Sequence, residues 1–302
     1  MRVIVKEKDF VQIIPESLED LWFLYNKVDR KVVEQRSLRV KKIKKGGEII
    51  KGKKVLREIA IKVEKKRWGG DKLKVIGKIT EGEDRNKYHS FHLELEKVIK
   101  IRNFREKLPP PEDYQIFICL IDKEKAYFGI YKSGEIKLIK KILARGRGEQ
   151  YYKEIANRLE KEQRELLIAG PGVAKDRLGV VMKRRVTKDN VSRVDEKGFS
   201  ELLKRNSIRR VIEKLRERKE KERVERFLVE IKKNPEKICY GREVENKVER
   251  VKEVLVLSDN VPQYEKILQE IERKGGKVNI ADSSEDYSRE IRKFEIIAAL
   301  WW

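Results

Sequence analysis

The sequence has few of the residues that build metal centres, disulfide frameworks and nucleophilic active sites. It contains two cysteines and two histidines in 302 residues. Cys119 and Cys239 lie in apolar stretches and form no Cys-x-x-Cys or cysteine–histidine spacing, which argues against structural zinc and fits a reduced compartment. His89 and His92 lie three residues apart in an alternating segment, so a strand would direct them to opposite faces. The pair is therefore a poor candidate for a catalytic site.

Long apolar runs are also absent. No stretch approaches the roughly 20 apolar residues that a membrane helix needs, and the first ten residues, MRVIVKEKDF, contain no long apolar run. We expect a cytoplasmic protein with no membrane partner, and a monomer.

Charge is abundant and unbalanced. Lysine and arginine number 75 against 52 aspartates and glutamates, and the formal net charge is +23. A field of this sign favours polyanions, of which nucleic acid is the usual one. A thermophile surface rich in ion pairs is the alternative. That alternative explains the number of charges but not their imbalance.

The N-terminal third reads as strands with one helix. Alternating apolar residues recur through residues 1–108, and a glycine turn at 69–71 predicts a hairpin. Ser17 and Asp20 form a capping-box pattern before a helical apolar face. This face is formed by Leu18, Leu21, Trp22, Tyr25 and Val28. A small barrel with one helix is the natural solution.

Three consecutive prolines, Pro109 to Pro111, mark the clearest linker. We therefore divide the chain into a β-barrel domain at 1–108, a linker at 109–113, a central α/β domain at 114–206 and a C-terminal α/β domain at 207–302. The central domain is predicted to begin with a three-strand meander. The C-terminal domain is predicted to begin with a long charged helix, and a later helix is predicted at 287–294. The predicted fold class is α+β multidomain.

Two glycine-containing segments fail as nucleotide sites. The segment Gly170–Lys175 lacks the second glycine before its lysine and the Ser/Thr after it, so it is not a P-loop. The segment Gly146–Gly148 lacks the third glycine of a dinucleotide fingerprint. We expect no bound nucleotide.

Basic residues concentrate around Gly46-Gly47 with only one acid, Glu48, between positions 36 and 54. A glycine loop with such flanks is predicted to bind RNA phosphates, although a solvated loop is the alternative. The candidate RNA-binding residues here are Arg36, Arg39, Lys41, Lys42, Lys44, Lys45, Lys51, Lys53 and Lys54. Arg145 and Arg147, spaced by glycine, are further candidates for sequence-independent contact with RNA.

Several local patterns, in collinear order, resemble the Pelota family. The longest is Pro15–Asn26, which is similar to the family signature P-E-x-x-x-D-L-W-x-L-Y-N. The others are Tyr88–Leu95, Ala169–Lys175, Tyr240-Gly241, Leu255–Asp259, Gly275–Val278 and Ile297–Leu300. Val173 departs from the pattern, because the family has an aromatic residue there.

The resemblance implies an Sm-like RNA-binding barrel, a release-factor-like middle domain and a ribosomal-protein-like C-terminal α/β sandwich. It implies a ribosome-rescue and mRNA-surveillance factor that enters the decoding site of stalled ribosomes, promotes subunit dissociation and leads to decay of damaged mRNA. The implied partners are the ribosome, mRNA and tRNA, an elongation-factor-type GTPase and a ribosome-splitting ABC-type ATPase. Pro171 and Gly172 are candidates for a partner contact. No Gly-Gly-Gln tripeptide occurs, so we expect no peptide release.

Two alternatives stay open. The family has been credited with a divalent-metal-dependent endoribonuclease in its first domain, and such chemistry needs clustered carboxylates. Asp9, Glu16, Glu19 and Asp20 are candidates, but acids at a helix start also offset the helix dipole, and we assign no catalytic or metal residue. The other alternative is a basic RNA-binding protein with no role on the ribosome.

Overall fold

The computed structural model of the chain describes residues 1–45, 48–145 and 148–301, and it describes residues 37–45 and 48–56 by their backbone alone. Within these ranges the fold is built from three sheets and their helices, in agreement with the predicted α+β multidomain class. None of the helices in these ranges combines the length and apolar character that crossing a membrane requires.

Seven strands of the N-terminal region form one antiparallel sheet. They are β1 (Arg2–Lys6), β2 (Phe10–Ile14), β3 (Val32–Lys45), β4 (Glu48–Trp68), β5 (Lys72–Ile79), β6 (Tyr88–Glu94) and β7 (Ile99–Arg102). Their spatial order is β1-β2-β7-β3-β4-β5-β6, and every neighbouring pair is antiparallel. The predicted hairpin at 69–71 joins β4 to β5 and is confirmed. Closure of this sheet into a barrel stays a prediction.

Helix α1 (Leu18–Lys27), the one helix among the described residues of this region, begins as predicted. The backbone N–H of Asp20 donates to Ser17 Oγ at 3.3 Å. The Asp20 carboxylate accepts from the N–H of Glu16 at 2.7 Å, one residue before the donor that a capping box uses. The predicted apolar face is confirmed, since Leu18, Leu21, Trp22, Tyr25 and Val28 are all buried.

The middle region is an α/β layer. Its elements are β8 (Gln115–Ile121), β9 (Lys125–Lys132), β10 (Glu135–Leu143), α2 (Glu149–Glu160), β11 (Glu165–Ala169), α3 (Ala174–Val181), β12 (Thr187–Asp189) and α4 (Glu196–Leu203). The predicted meander β8–β9–β10 is confirmed, and β11 pairs in parallel with both β8 and β12. Alternate residues of β8 enter two apolar clusters, because side chains along a strand point to opposite faces.

The last region follows a long helix, α5 (Asn206–Lys233). Its other elements are β13 (Ile238–Tyr240), α6 (Glu243–Asn246), β14 (Val251–Leu257), α7 (Val261–Arg273), β15 (Lys277–Ala281) and β16 (Ile296–Leu300). The strand order is β13-β16-β14-β15, in which β14 and β15 are parallel. Short 3₁₀ helices lie at Pro235–Lys237, Val248–Arg250 and Ser258–Asn260.

The prediction of a helix at 287–294 is wrong. The chain forms two short 3₁₀ helices instead, Asp286–Glu290 and Arg292–Phe294. The hydroxyl of the buried Ser288 donates to the carbonyl of Asp282. The backbone of Glu295 is left-handed, at φ 60°. These tight turns prevent a regular i to i−4 pattern.

The chain divides into two compact units. One unit contains Met1–Pro111 and Lys221–Trp302, and the other contains Glu112–Glu220. Within the first unit, a single apolar cluster includes side chains of α1 together with residues of α7, β14 and β15. The two ends of the chain therefore share a core. The boundaries drawn from the sequence at 108, 113 and 206 stay a prediction.

Candidate nucleic-acid interface

The N-terminal sheet forks where β3 separates from β7. The β3–β7 pairing runs from Val32 opposite Arg102 to Glu34 opposite Lys100. Beyond Glu34, β3 pairs only with β4, down to Lys45 opposite Glu48. The sheet thus extends as a two-stranded antiparallel segment, which we call the ribbon (residues 35–45 and 48–59). The point where the ribbon leaves β7 we call the fork.

The predicted RNA-binding residues of this region lie on the ribbon strands and not in an open loop. Lys42 lies opposite Lys51, and Val40 lies opposite Lys54. Arg36, at the fork, has an exposed side chain. The backbone positions of the other eight are described, and Gly46 and Gly47 lie outside the described residues. The β-pairing places the basic positions on one narrow, two-stranded element.

A cavity of about 680 Å³ opens at the fork. Residues of β2, β3, β4, β6 and β7 and of the β6–β7 turn line it. Since β6 and β2 are distant in the strand order, the sheet must curve to bring them to one cavity. Ten of the lining residues are polar or charged: Gln12, Glu34, Gln35, Arg36, Glu58, Ser90, His92, Glu94, Lys97 and Lys100. Phe91, whose ring is buried, also lines it.

Ion pairs occupy two of the three carboxylates around this cavity. Glu34 is only 3% exposed, and its Oε2 lies 2.7 Å from Lys100 Nζ, while its other oxygen accepts from Arg102. Glu94 lies 2.5 Å from Lys97 Nζ. Pairing offsets the cost of burying charge. Glu58 has no ion pair within the described part of the chain, so its carboxylate is available to a ligand.

Most of these cavity residues were not identified from the sequence. Gln12, Gln35, Glu58 and Ser90 belong to four strands and share no motif. Their proximity arises from the strand order, which periodicity does not reveal. Ser90 and His92 lie in the family-like pattern Tyr88–Leu95, and His92 was considered only as a poor catalytic candidate on an alternating strand. The place of both residues on β6 is confirmed.

Three of the four carboxylates that were candidates for a nuclease metal have structural partners. Glu19 Oε1 lies 2.7 Å from Arg223 Nη1 and accepts from the N–H of Ile280 at 3.2 Å. The Met1 ammonium lies 2.9 Å from Asp20 Oδ2 and 3.5 Å from Glu16 Oε2. Burial raises the pKa of Asp20, although the ammonium acts in the opposite direction. A cationic group already lies between these oxygens, so the set does not fit a hard cation.

Asp9, the fourth candidate, takes part in the fold through its backbone carbonyl, which accepts from the N–H of Asn103 at 2.7 Å. Over the described residues, no group of three or more histidine, cysteine, aspartate or glutamate side chains is arranged to hold a metal ion.

The signature segment Pro15–Asn26 contacts the C-terminal part of the first unit. Tyr25 Oη donates to Glu265 Oε2 at 2.8 Å. Asn26 Oδ1 accepts from Gln269 Nε2 at 2.9 Å. The ring of Trp22 stacks on Tyr25, with centroids 5.5 Å apart. These contacts explain the signature as a docking surface between two parts of one unit.

In the second unit, Arg145 is exposed at the end of β10 with a left-handed backbone (φ 48°), and Arg147 lies outside the described residues. Pro171 and Gly172 lie in the turn between β11 and α3. The Lys175 ammonium donates to the carbonyl of Gly172 at 2.6 Å, so this lysine fixes the turn. The side chain of Val173 is 64% exposed.

An N-terminal antiparallel sheet with a basic ribbon, an α/β middle layer and a C-terminal mixed sheet define an α+β multidomain protein. Residues 1–107 match the Pelota N-terminal domain. The chain is 27% identical to the protein pelota homolog of Archaeoglobus fulgidus, covering 96% of this chain and 94% of that protein. It is also 27% identical to the protein pelota homolog of Methanocaldococcus jannaschii, over 98% of this chain and 96% of that protein.

The crystal structure of Archaeoglobus fulgidus Pelota has the same fold, with a TM-score of 0.76 and 23% identity over 100% of this chain and 99% of that one. A model of ribosome-bound archaeal Pelota and ABCE1 gives a TM-score of 0.52 at 21% identity, covering 100% and 99%. Over nearly its whole length the chain is therefore similar to archaeal Pelota proteins, and its first 107 residues match the Pelota N-terminal domain.

Proposed function

We propose that this protein is a ribosome-rescue and mRNA-surveillance factor that enters the decoding site of stalled ribosomes and promotes separation of the subunits. The observation that carries the proposal is the basic ribbon of the N-terminal sheet, in a chain that is similar to archaeal Pelota proteins over nearly its whole length. A relative of the same fold is described as ribosome-bound together with ABCE1. Decay of the damaged mRNA is the proposed consequence.

The proposed mechanism is electrostatic and steric. Nine lysines and arginines at positions 36–54 are opposed by one glutamate, so the ribbon attracts RNA phosphates without reading sequence. The two-stranded ribbon is narrow enough to enter an RNA-lined channel, and the fork lies at its base. We propose no release of the nascent peptide, because the sequence contains no Gly-Gly-Gln.

The proposed partners are the ribosome with its mRNA and tRNA, an elongation-factor-type GTPase and an ABC-type ATPase. Arg145 and Arg147 would contact tRNA or ribosomal RNA, and the turn at Pro171 and Gly172 would contact a protein partner. We propose a cytoplasmic monomer that binds no nucleotide of its own, so that nucleotide hydrolysis belongs to the partners.

The experiment is subunit separation of purified stalled ribosomes, followed by sucrose-gradient sedimentation with the GTPase and the ATPase present. The wild-type chain should increase the separated fraction. Replacing the cross-strand pair Lys42 and Lys51 by glutamine should slow separation and weaken RNA binding. The slope of log affinity against log salt should fall by about 0.7 for each phosphate that the variant no longer neutralises.

A matched control removes the same two charges elsewhere. Lys232 and Lys233 are exposed at the end of α5, and their glutamine variant should separate ribosomes at the wild-type rate. Equal losses in both double variants would show that net charge, and not the ribbon, is responsible. No separation by the wild-type chain in a competent system would refute the proposal.

The same reactions test the endoribonuclease alternative. Intact ribosomes whose mRNA is cut in an EDTA-sensitive reaction would favour the enzyme. Cleavage that disappears on further purification would count against it. Binding to naked RNA as tight as to ribosomes would favour a general RNA-binding protein.

A further inference from the structure

The fork cavity has properties of a ligand site that phosphate attraction does not explain. Its volume of about 680 Å³ lies within the range of small-molecule pockets. Around it, positive and negative side chains balance. Arg36, Lys97 and Lys100 face Glu34, Glu58 and Glu94. Since a phosphate would meet as many carboxylates as cations, this balance favours a neutral polar ligand over an anion.

Several polar side chains of the cavity are free to bind a ligand. Among the residues that the structure describes, the side chains of Gln12, Gln35 and Ser90 have no hydrogen-bond partner. Arg36 and Glu58 lie directly opposite each other on β3 and β4, yet no ion pair joins them in the same described part. Two amides, one hydroxyl, one guanidinium and one carboxylate are therefore available, which gives both donors and acceptors.

A ring for stacking lies beside these groups. The imidazole of His92 lines the cavity and is exposed, whereas the ring of Phe91, its neighbour on β6, is 5% exposed and packs in the apolar core. Unpaired RNA bases are recognised by stacking on aromatic or histidine side chains and by hydrogen bonds to their edges. The cavity offers both elements of this recognition.

We infer that the fork cavity binds one unpaired RNA base that carries an exocyclic amino group. This inference rests on the proposed function, because it takes as ligand the RNA that the ribbon approaches. The Glu58 carboxylate would accept from the amino group, while Arg36 or a glutamine amide would donate to a ring nitrogen or carbonyl. Uracil presents two carbonyls on either side of one N–H, so the carboxylate would repel it.

The test compares two ligands that differ at this group. Fluorescein-labelled oligocytidylate and oligouridylate RNAs of ten nucleotides are titrated with the full chain, and anisotropy gives the dissociation constants. The wild-type chain should prefer oligocytidylate by roughly fivefold or more. In the Glu58→Gln variant the preference should fall toward one, since an amide both donates and accepts.

Two further variants separate the parts of the site. His92→Ala should weaken both RNAs by roughly fivefold through the loss of stacking and leave their ratio unchanged. Glu83→Gln removes an equal charge from the exposed turn after β5 and should leave the preference intact. None of the three should change the salt slope, because none removes a cation that neutralises a phosphate.

The inference is overturned if the wild-type chain binds the two RNAs equally, or if Glu58→Gln keeps the wild-type preference. The wild-type chain and the Glu58→Gln variant are also tested in the subunit-separation assay. Separation without a base preference refutes the cavity site and leaves the proposed function standing. A preference that Glu58→Gln abolishes, in a chain that does not separate ribosomes, supports the cavity site and refutes the rescue function.

Discussion

The contact between Glu19 on α1 and Arg223 on α5 provides the sharpest test of how the first unit holds together. These residues are 204 positions apart, and their atoms lie 2.7 Å apart. Glu19 also accepts from the N–H of Ile280 at 3.2 Å. The change Glu19→Gln keeps the shape and an acceptor oxygen for the backbone donor, but it removes the charge.

The size of the effect follows from burial. The side chains of Glu19 and Arg223 are 26% and 22% exposed, so the pair lies between two limits. Exposed pairs contribute at most about 1 kcal/mol, and breaking a fully buried pair costs about 3–5 kcal/mol. We expect Glu19→Gln to lower the unfolding free energy by about 1–2 kcal/mol. A double-mutant cycle of Glu19→Gln and Arg223→Met should give a coupling energy of about 1 kcal/mol between the two side chains.

Tryptophan fluorescence reports on this unit alone, because all four tryptophans lie in its two segments. The assay is therefore urea unfolding monitored by tryptophan fluorescence. The control is Glu225→Gln, which breaks the exposed Lys221–Glu225 pair on the same helix and should cost less than about 0.5 kcal/mol. Equal effects of both variants, or a coupling energy below about 0.3 kcal/mol, would refute the reasoning. A metal role for Glu19 would instead predict EDTA-sensitive stability in the wild type.

Three further predictions concern single side chains. Trp68→Phe removes the 2.8 Å hydrogen bond from Trp68 Nε1 to the backbone carbonyl of Ser258 and should lower the free energy of urea unfolding by about 1–2 kcal/mol. The control is Trp301→Phe, at a side chain 51% exposed, which should lower it by less than about 0.5 kcal/mol. Burial acts to raise the pKa of Glu253, but the bidentate ion pair with Arg226 and a hydrogen bond from Asn279 hold this pKa below its ordinary value of 4.5. The stabilisation that the ionised carboxylate contributes is therefore present above pH 4.5 and is lost as the pH falls below it. The urea midpoints of the wild type and of Glu253→Gln should differ more at pH 7 than at pH 3. In the second unit, a Cβ at Gly170 would overlap a backbone oxygen of β8, whereas a Cβ at Gly172 would meet open space but at a left-handed φ of 61°. Gly170→Ala should therefore lower the unfolding free energy by about 3 kcal/mol and Gly172→Ala by about 1 kcal/mol, measured by circular dichroism. Neither variant should change the unfolding curve that tryptophan fluorescence reports.

Local rules predicted the elements of this fold well. The helix α1 begins at its capping serine, the hairpin turns at 69–71, and the meander and the long helix lie where periodicity places them. These features depend on residues within a few positions of one another. The failed helix at 287–294 shows the limit of such rules, because Ser288 bonds to a carbonyl six residues earlier and no periodic pattern encodes that contact.

Long-range contacts explain what the sequence did not predict about the candidate site. The fork cavity brings together residues of five strands, and their proximity depends on strand order and sheet curvature. The acids near residue 16 were open to a metal or a helix-dipole interpretation. Only their partners, an arginine from α5 and the Met1 ammonium, show that they have structural roles.

The length of the ribbon has a consequence for its electrostatics. An antiparallel strand from Gln35 to Lys45 measures about 35 Å along its axis. The Debye length at physiological ionic strength is about 8 Å, so charges at the two ends are screened from each other several times over. Arg36 at the fork and Lys45 at the tip should therefore act on RNA affinity as independent sites, and the free-energy effects of removing them should add.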